Sequence, residues 1–399
     1  MFSPDPSLLK KYADVLVKFA LRWGKWIKKG EVVLVQIPEC AKPFYLPLQK
    51  SILEAGWHPI MEYLPDGVSK HFFEHASDDQ ITYYPQHYLH GKVKQLTHLI
   101  QIIAEADKYE LVDTDPKKIA ARVSSRLKFR QERDKKEMAG KLSRNISMYG
   151  TQAMADDVGM SLEEYRNEII KACYLDYDDP VAQWKKINAE IDIIKNKLNQ
   201  LKIQSVHIVS KDADLKIKIW SNRQRLCGVG CNIPSFEIFT SPDRRETNGR
   251  MRFNQPVFRY GQMIKGIFLK FKNGVIVDYD ATENKALLKE IISIPNANKL
   301  GEFSLTDSRF SHITKLMGET LFDENMGWEF GNTHVAIGTS FGDTFAGDVK
   351  KLTKKDLKNL WFNHSAEHVD IVSTTDRVVT ATLEDWSEKI IYQHWQFTV

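Results

Sequence analysis

The run Glu31-Val32-Val33-Leu34-Val35-Gln36-Ile37 constrains the fold more than any other stretch. Valine and isoleucine are stiff at χ1 and suit extended backbone. A strand that is apolar at nearly every position must be covered on both faces, which is the situation inside a parallel sheet. The flanking pattern agrees. Leu8, Tyr12, Val15, Phe19 and Trp26 recur at helical spacing and predict a helix over Ser7 to Ile27, ended by Gly30. A helix from Ala41 to Ala55 and a strand at Ile60 to Leu64 then complete a β-α-β unit, and Leu96 to Ala104 and Asn145 to Tyr149 supply further strands. Strands alternating with helices predict an α/β N-terminal domain with a mostly parallel sheet. No Gly-x-Gly-x-x-Gly or P-loop follows the first strand, so a nucleotide site there has no support.

Two more amphipathic helices, Ser161 to Leu175 and Pro180 to Leu201, lead to a change of pattern. Short strands separated by turns follow, at Val206 to Ser210, Leu215 to Trp220, Val257 to Tyr260, Gly266 to Phe271 and Val275 to Tyr279. Asn273-Gly274 between the last two is the dipeptide that a two-residue hairpin turn prefers. We therefore expect two domains: residues 1–200, α/β, and residues 201–399, an α+β, strand-rich domain.

Glu367 to Val372 alternates polar and apolar residues with the period of a half-buried strand. Residues two apart share a face, so His368 and Asp370 present an imidazole beside a carboxylate while Val369 and Ile371 turn into the core. Such a pair near a core is costly unless a cation or hydrogen bonds satisfy it. Glu237, Glu302 and His334 are the other candidates. Three carboxylates and two imidazoles, with no thiolate, suit zinc, cobalt or manganese, singly or as a pair of ions that activates water and polarises a carbonyl or phosphoryl oxygen. Taken one at a time, each is better read as a hydrogen-bonded structural residue than as a ligand.

Five motifs, in this order, resemble the signature of the AmpS/PepS-type (thermophilic metalloprotease) aminopeptidases. They are N-I-P-S-F-E-I-F-T-S-P at Asn232 to Pro242, Gly301-Glu302, T-L-F-D-E-N at Thr320 to Asn325, G-N-T-H-V-A-I-G at Gly331 to Gly338, and N-H-S-A-E-H-V-D-I-V at Asn363 to Val372. The likeness covers nearly the whole chain and is specific after about residue 230. It implies a metal-dependent, homodimeric aminopeptidase acting on peptides, with two divalent ions in its C-terminal domain. Glu237, Glu302, His334, His368 and Asp370 fall on the family's ligands, and Glu324 is a candidate sixth. Glu302 is the candidate carrier of the proton from water to the leaving amine. Three departures stand out. Phe236 replaces the glycine that usually precedes the first ligand, the stretch from Glu324 to His334 is longer, and Phe341 stands where the family has a tyrosine thought to stabilise the oxyanion. A phenyl ring donates no hydrogen bond. The alternative is thus a peptide- or metal-binding relative with little turnover.

Other signals bound the setting. Four cysteines in 399 residues suggest a reducing, cytoplasmic compartment. The N-terminus lacks the pattern of a signal peptide, and no run is long enough to span a bilayer. The basic stretch Pro116 to Lys141 could bind nucleic acid, but a net charge of +4 favours a solvated helix face, and we expect no nucleic-acid partner. His364-Ser365-Ala366-Glu367-His368 matches the inverted zinc motif H-x-x-E-H, which requires a helix where the pattern reads as a strand. Cys227 and Cys231 read as two reduced thiols in a glycine-rich turn, and Trp328 as a pocket wall.

Overall fold

A computed structural model describes residues 5–21, 28–260 and 262–399. The chain divides into two compact units, Met1–Lys185 with Gly230–Ile233, and Lys186–Val229 with Pro234–Val399.

In the first unit, strands β1 (Val32–Pro38), β2 (His58–Leu64), β3 (His98–Ile103) and β4 (Ser143–Met148) form a parallel sheet in the order β2-β1-β3-β4. A two-residue strand, Asn232–Ile233, joins at the edge beside β4. Val33, Leu34, Val35 and Ile37 are all buried, as the apolar run requires. The first helix starts at Pro6, where Asp5 accepts the Ser7 N–H. It stays α-helical only to Val15, and one wider turn over Leu16–Ala20 then buries Leu16, Val17, Phe19 and Ala20 together. Residues 22–27 of the predicted helix lie outside the described residues. The next helix begins as a 3₁₀ segment, Glu39–Phe44, with Pro43 inside it, and becomes α-helical over Tyr45–Glu54. The basic stretch is two helices, Pro116–Ser125 and Leu127–Met138, broken at Arg126. Neither has a fully buried residue, so the stripe of Ile119, Val123 and Leu127 is not core.

The second unit pairs two large antiparallel sheets and, among the described residues, also has a two-stranded one of Val257–Arg259 and Gln262–Ile264. One has eight strands, from Val275–Asp280 at one edge to Gln396–Phe397 at the other. Its Lys272/Val275 closing pair is joined by Asn273 and Gly274 at φ 51° and 78°, the positive angles that a type I′ turn demands. The other sheet comprises β5 (Leu226–Cys227), β6 (Glu237–Thr240), β7 (Leu300–Thr306), β8 (Asn332–Gly338) and β9 (His368–Ser373), in the order β9-β8-β7-β6-β5. Ile203, Val206, Ile391 and Phe397 of the larger sheet meet Ile238, Phe303 and Leu305 of the smaller across the core. The α/β and strand-rich halves match the expected fold class. Among the described residues no helix is long and apolar enough to cross a membrane.

Candidate metal centre

The register of the smaller sheet gathers the candidates. Asp370 pairs with Ala336, His368 with Gly338, and Val372 with His334 across β8/β9. Glu302 pairs with Ala336 and Ser304 with His334 across β7/β8, and Thr306 pairs with Glu237 and Ser304 with Phe239 across β6/β7. Alternation then puts Glu237, Phe239, Glu302, Ser304, His334, His368 and Asp370 on one face. Ile238, Phe303, Leu305, Val335, Ile337, Val369 and Ile371, all buried, take the core face. The register shifts between Leu300 and Glu302, a bulge with Gly301 inside it. A Cβ at 301 would lie 2.1 Å from the Thr339 carbonyl oxygen, so only glycine admits the close approach that aims Glu302.

Donor atoms of Glu237, Glu302 and His334 lie within 4.8 Å of one another, and so do those of Glu302, His368 and Asp370. Glu302 belongs to both groups: its Oε1 is 3.5 Å from His334 Nε2 and its Oε2 is 3.5 Å from His368 Nε2. Glu237 Oε2 is 3.2 Å from His334 Nε2, and Asp370 Oδ1 is 3.4 Å from His368 Nε2. Glu324 stands outside both groups, although the charges of Glu237 and Asp370 reach it.

Hydrogen bonds decide which nitrogens face the acids. His368 Nδ1 sits 2.9 Å from the Thr339 carbonyl, which can only accept, so Nδ1 carries a proton and Nε2 is the nitrogen that faces the carboxylates and is left for a metal. Asn332 Nδ2 donates to the carbonyls of Glu324 and Met326, which fixes its amide and directs Oδ1 at His334 Nδ1, 3.3 Å away. His334 Nε2 is consequently a wholly buried atom that hydrogen-bonds to nothing, with carboxylate oxygens 3.2 and 3.5 Å away. A lone pair and two carboxylates converge there, and a divalent cation is the partner that suits all three. The residues fit a metal.

Without an ion, the carboxylates favour a proton on each imidazole, in the place that a metal cation would take. Burial alone would lower the His334 pKa, but the Glu237 and Glu302 carboxylates outweigh it and hold it well above the usual imidazole value. His368 is likewise raised against burial, by Asp370 and then Glu302. Burial raises Glu237 and, more strongly, Glu324, with neighbouring carboxylates adding to both. Asp370 goes down despite burial because His368, His334 and Arg259 favour its charge.

Three buried asparagines, present in the motifs but given no role by the sequence reading, hold the frame. Besides Asn332, Asn325 accepts the Phe236 N–H at 2.7 Å, and Asn363 donates to the carbonyls of Gly338 and Asn296. Asparagine beside each ligand motif (D-E-N, G-N-T-H, N-H-S) was the available signal. Phe236 is itself fully buried, and the close packing on Glu237 comes from Gly228 instead. A Cβ at 228 would sit 2.3 Å from Ser235 Oγ and 2.7 Å from Glu237 Oε1. Gly228→Ala should therefore displace Glu237 and weaken metal binding by about 10–100-fold, as judged by metal titration of a variant whose melting is otherwise unchanged.

The helical zinc motif is absent. Residues 363–367 form no helix, His364 is exposed, and Glu367 is committed to Arg259 Nη2 at 2.8 Å and Tyr260 Oη at 2.5 Å. His364→Ala should leave metal content unchanged while Glu237→Ala depletes it; elemental analysis of both variants checks this. Trp328 is 52% exposed and packs edge-on to His312. Neither Cys227 nor Cys231 is in a disulfide, and burial pushes the Cys227 thiol up to about 11.

Residues 6–397 match the family described as thermophilic metalloprotease (M29). The chain is 26% identical to "Aminopeptidase 2" of Geobacillus stearothermophilus over 414 aligned residues, covering 98% of each. It is 25% identical to "Aminopeptidase PepS" of Streptococcus thermophilus, again over 98% of each. Its fold is similar to the solved structure "Wild-type AmpT from Thermus thermophilus", with a TM-score of 0.83 at 20% identity over 98% of this chain and 99% of that one. With a match over almost its entire length and a face of acids and imidazoles suited to cations, this chain belongs to the thermophilic metalloprotease (M29) family.

Proposed function

We propose that this chain is a two-metal aminopeptidase that removes N-terminal residues from peptides. One observation carries the reading: the two oxygens of Glu302 face two different imidazoles and so join two ligand groups into one centre. Glu237, His334 and Glu302 would hold one ion, and Glu302, His368 and Asp370 the other, with zinc, cobalt or manganese as the metal. Bound there, such ions supply Lewis-acid polarisation of a scissile carbonyl and a more acidic water. Thr339 and Asn332 orient the two imidazoles, and Ser304 Oγ donates to Glu237 Oε2 at 3.2 Å. Glu302 is our choice for the carboxylate that takes the proton from water and returns it to the leaving amine. The carboxylate-rich face favours a substrate ammonium. The family likeness supports a homodimer, and the low cysteine count a cytoplasmic setting.

Phe341 motivates a second reading, a peptide- or metal-binding relative with little turnover, because its ring offers no donor to an oxyanion. The test is cleavage of aminoacyl amides with added zinc, cobalt or manganese, with the N-acetylated amides as control. The first reading expects hydrolysis that needs both the metal and the free amine. Metal uptake without hydrolysis favours the second.

A further inference from the structure

The face that carries the acids also carries an aromatic rim. Phe239 lies two residues beyond Glu237 on β6, on the same face, and is half-buried. Phe341 follows β8, and its ring meets two others edge-on: Phe239 at 5.7 Å between centroids and His368 at 4.8 Å. Its backbone is pinned. The N–H donates to Ser241 Oγ at 2.9 Å, and the carbonyl accepts from Thr344 Oγ1 at 2.7 Å. The ring nonetheless stays 37% exposed. An immobilised, solvent-facing phenyl group beside a candidate ligand imidazole has unused apolar surface, and a bound side chain could remove that surface from water.

We propose that Phe341 and Phe239 form the wall that receives the first side chain of the substrate, and that this wall selects large apolar residues (aromatic or branched aliphatic) over small or charged ones. The proposal deepens the aminopeptidase reading and rests on it for the word substrate. It gives Phe341 a function of its own.

The test uses the metal-loaded protein and coumarin amides of phenylalanine, leucine, alanine and lysine, which share one leaving group. Wild type should favour phenylalanine and leucine over alanine in kcat/KM. Phe341→Ala should shrink that ratio by about 10–100-fold, the range that apolar pocket contacts can discriminate, and Phe341→Leu should retain the preference for leucine. A fall by the same factor on all four amides, or loss of metal from Phe341→Ala by elemental analysis, would reduce the ring to a support for His368 and overturn the proposal. Binding of the hydroxamates of phenylalanine and alanine, measured by calorimetry, separates this proposal from the function it rests on. Tighter binding of the phenylalanine compound that disappears in Phe341→Ala upholds the wall even if no amide is cleaved. Cleavage with a flat ratio and equal hydroxamate affinities refutes the wall and leaves the peptidase reading standing.

Discussion

Glu302→Gln is expected to lower kcat by at least about 10³-fold and to release both ions, while the protein stays folded. Glu302 is 3% exposed and the one carboxylate common to both donor groups, so neither group keeps three ligands without it. The amide keeps the shape but loses the charge, and a neutral oxygen holds zinc or manganese poorly. Folding should survive because the metal-free site already crowds its acids: Glu237, Glu302 and Asp370 converge on the His334 and His368 imidazoles. Removing one of these mutually repelling carboxylates relieves the apo protein. Chelation should therefore lower the wild-type melting temperature sharply, as expected when a ligand bound only by the folded state is withdrawn. It should leave Glu302→Gln unmoved. Calorimetric melts with and without chelator, set beside steady-state rates, check both parts. A variant that keeps two ions and half its activity would refute the junction role.

Phe341→Tyr is expected to raise kcat by about 10²-fold, with little change in KM. The backbone of residue 341 is held by its hydrogen bonds with Ser241 and Thr344, and the ring lies edge-on to His368 and Phe239 and is 37% exposed, a position that tyrosine can share. The added hydroxyl supplies a donor next to the acids and imidazoles, where the phenyl ring supplies none. A gain confined to kcat means that the new hydrogen bond is made in the transition state and not to the bound substrate. The apolar wall remains, so preference among side chains should persist. An unchanged kcat would show that another group already donates to the oxyanion.

Much of this architecture was legible because it is written in short periods. The valine-rich run gave a covered strand, Asn273-Gly274 a tight hairpin, and Glu367 to Val372 a strand with His368 and Asp370 on one face. Period reports which face a residue takes, but it does not report register. That Glu302 lies opposite Ala336, itself opposite Asp370, depends on the bulge at Gly301 and on pairings across separations of more than thirty residues. No local pattern encodes these. The family resemblance, not spacing, joined Glu237 and Glu302 to the histidines in the sequence reading. The asparagines stand in the motifs, but their partners could not be read for the same reason, since Asn363 acts on Gly338 and Asn296 and Asn325 acts on Phe236, all distant in the chain. Propensity failed where backbone detail decided: the wide turn after Val15 and the break at Arg126 carry no proline or glycine to announce them.

The central claim is that one carboxylate joins two ligand groups into a single two-ion centre. The most direct test is a crystal of protein purified without chelator, with anomalous scattering collected at the edge of whichever metal elemental analysis finds. The account predicts two peaks per chain, one contacting Glu237 and His334, one contacting His368 and Asp370, and Glu302 touching both. Less than one ion per chain, or a peak that leaves His334 Nε2 without a partner, would contradict it.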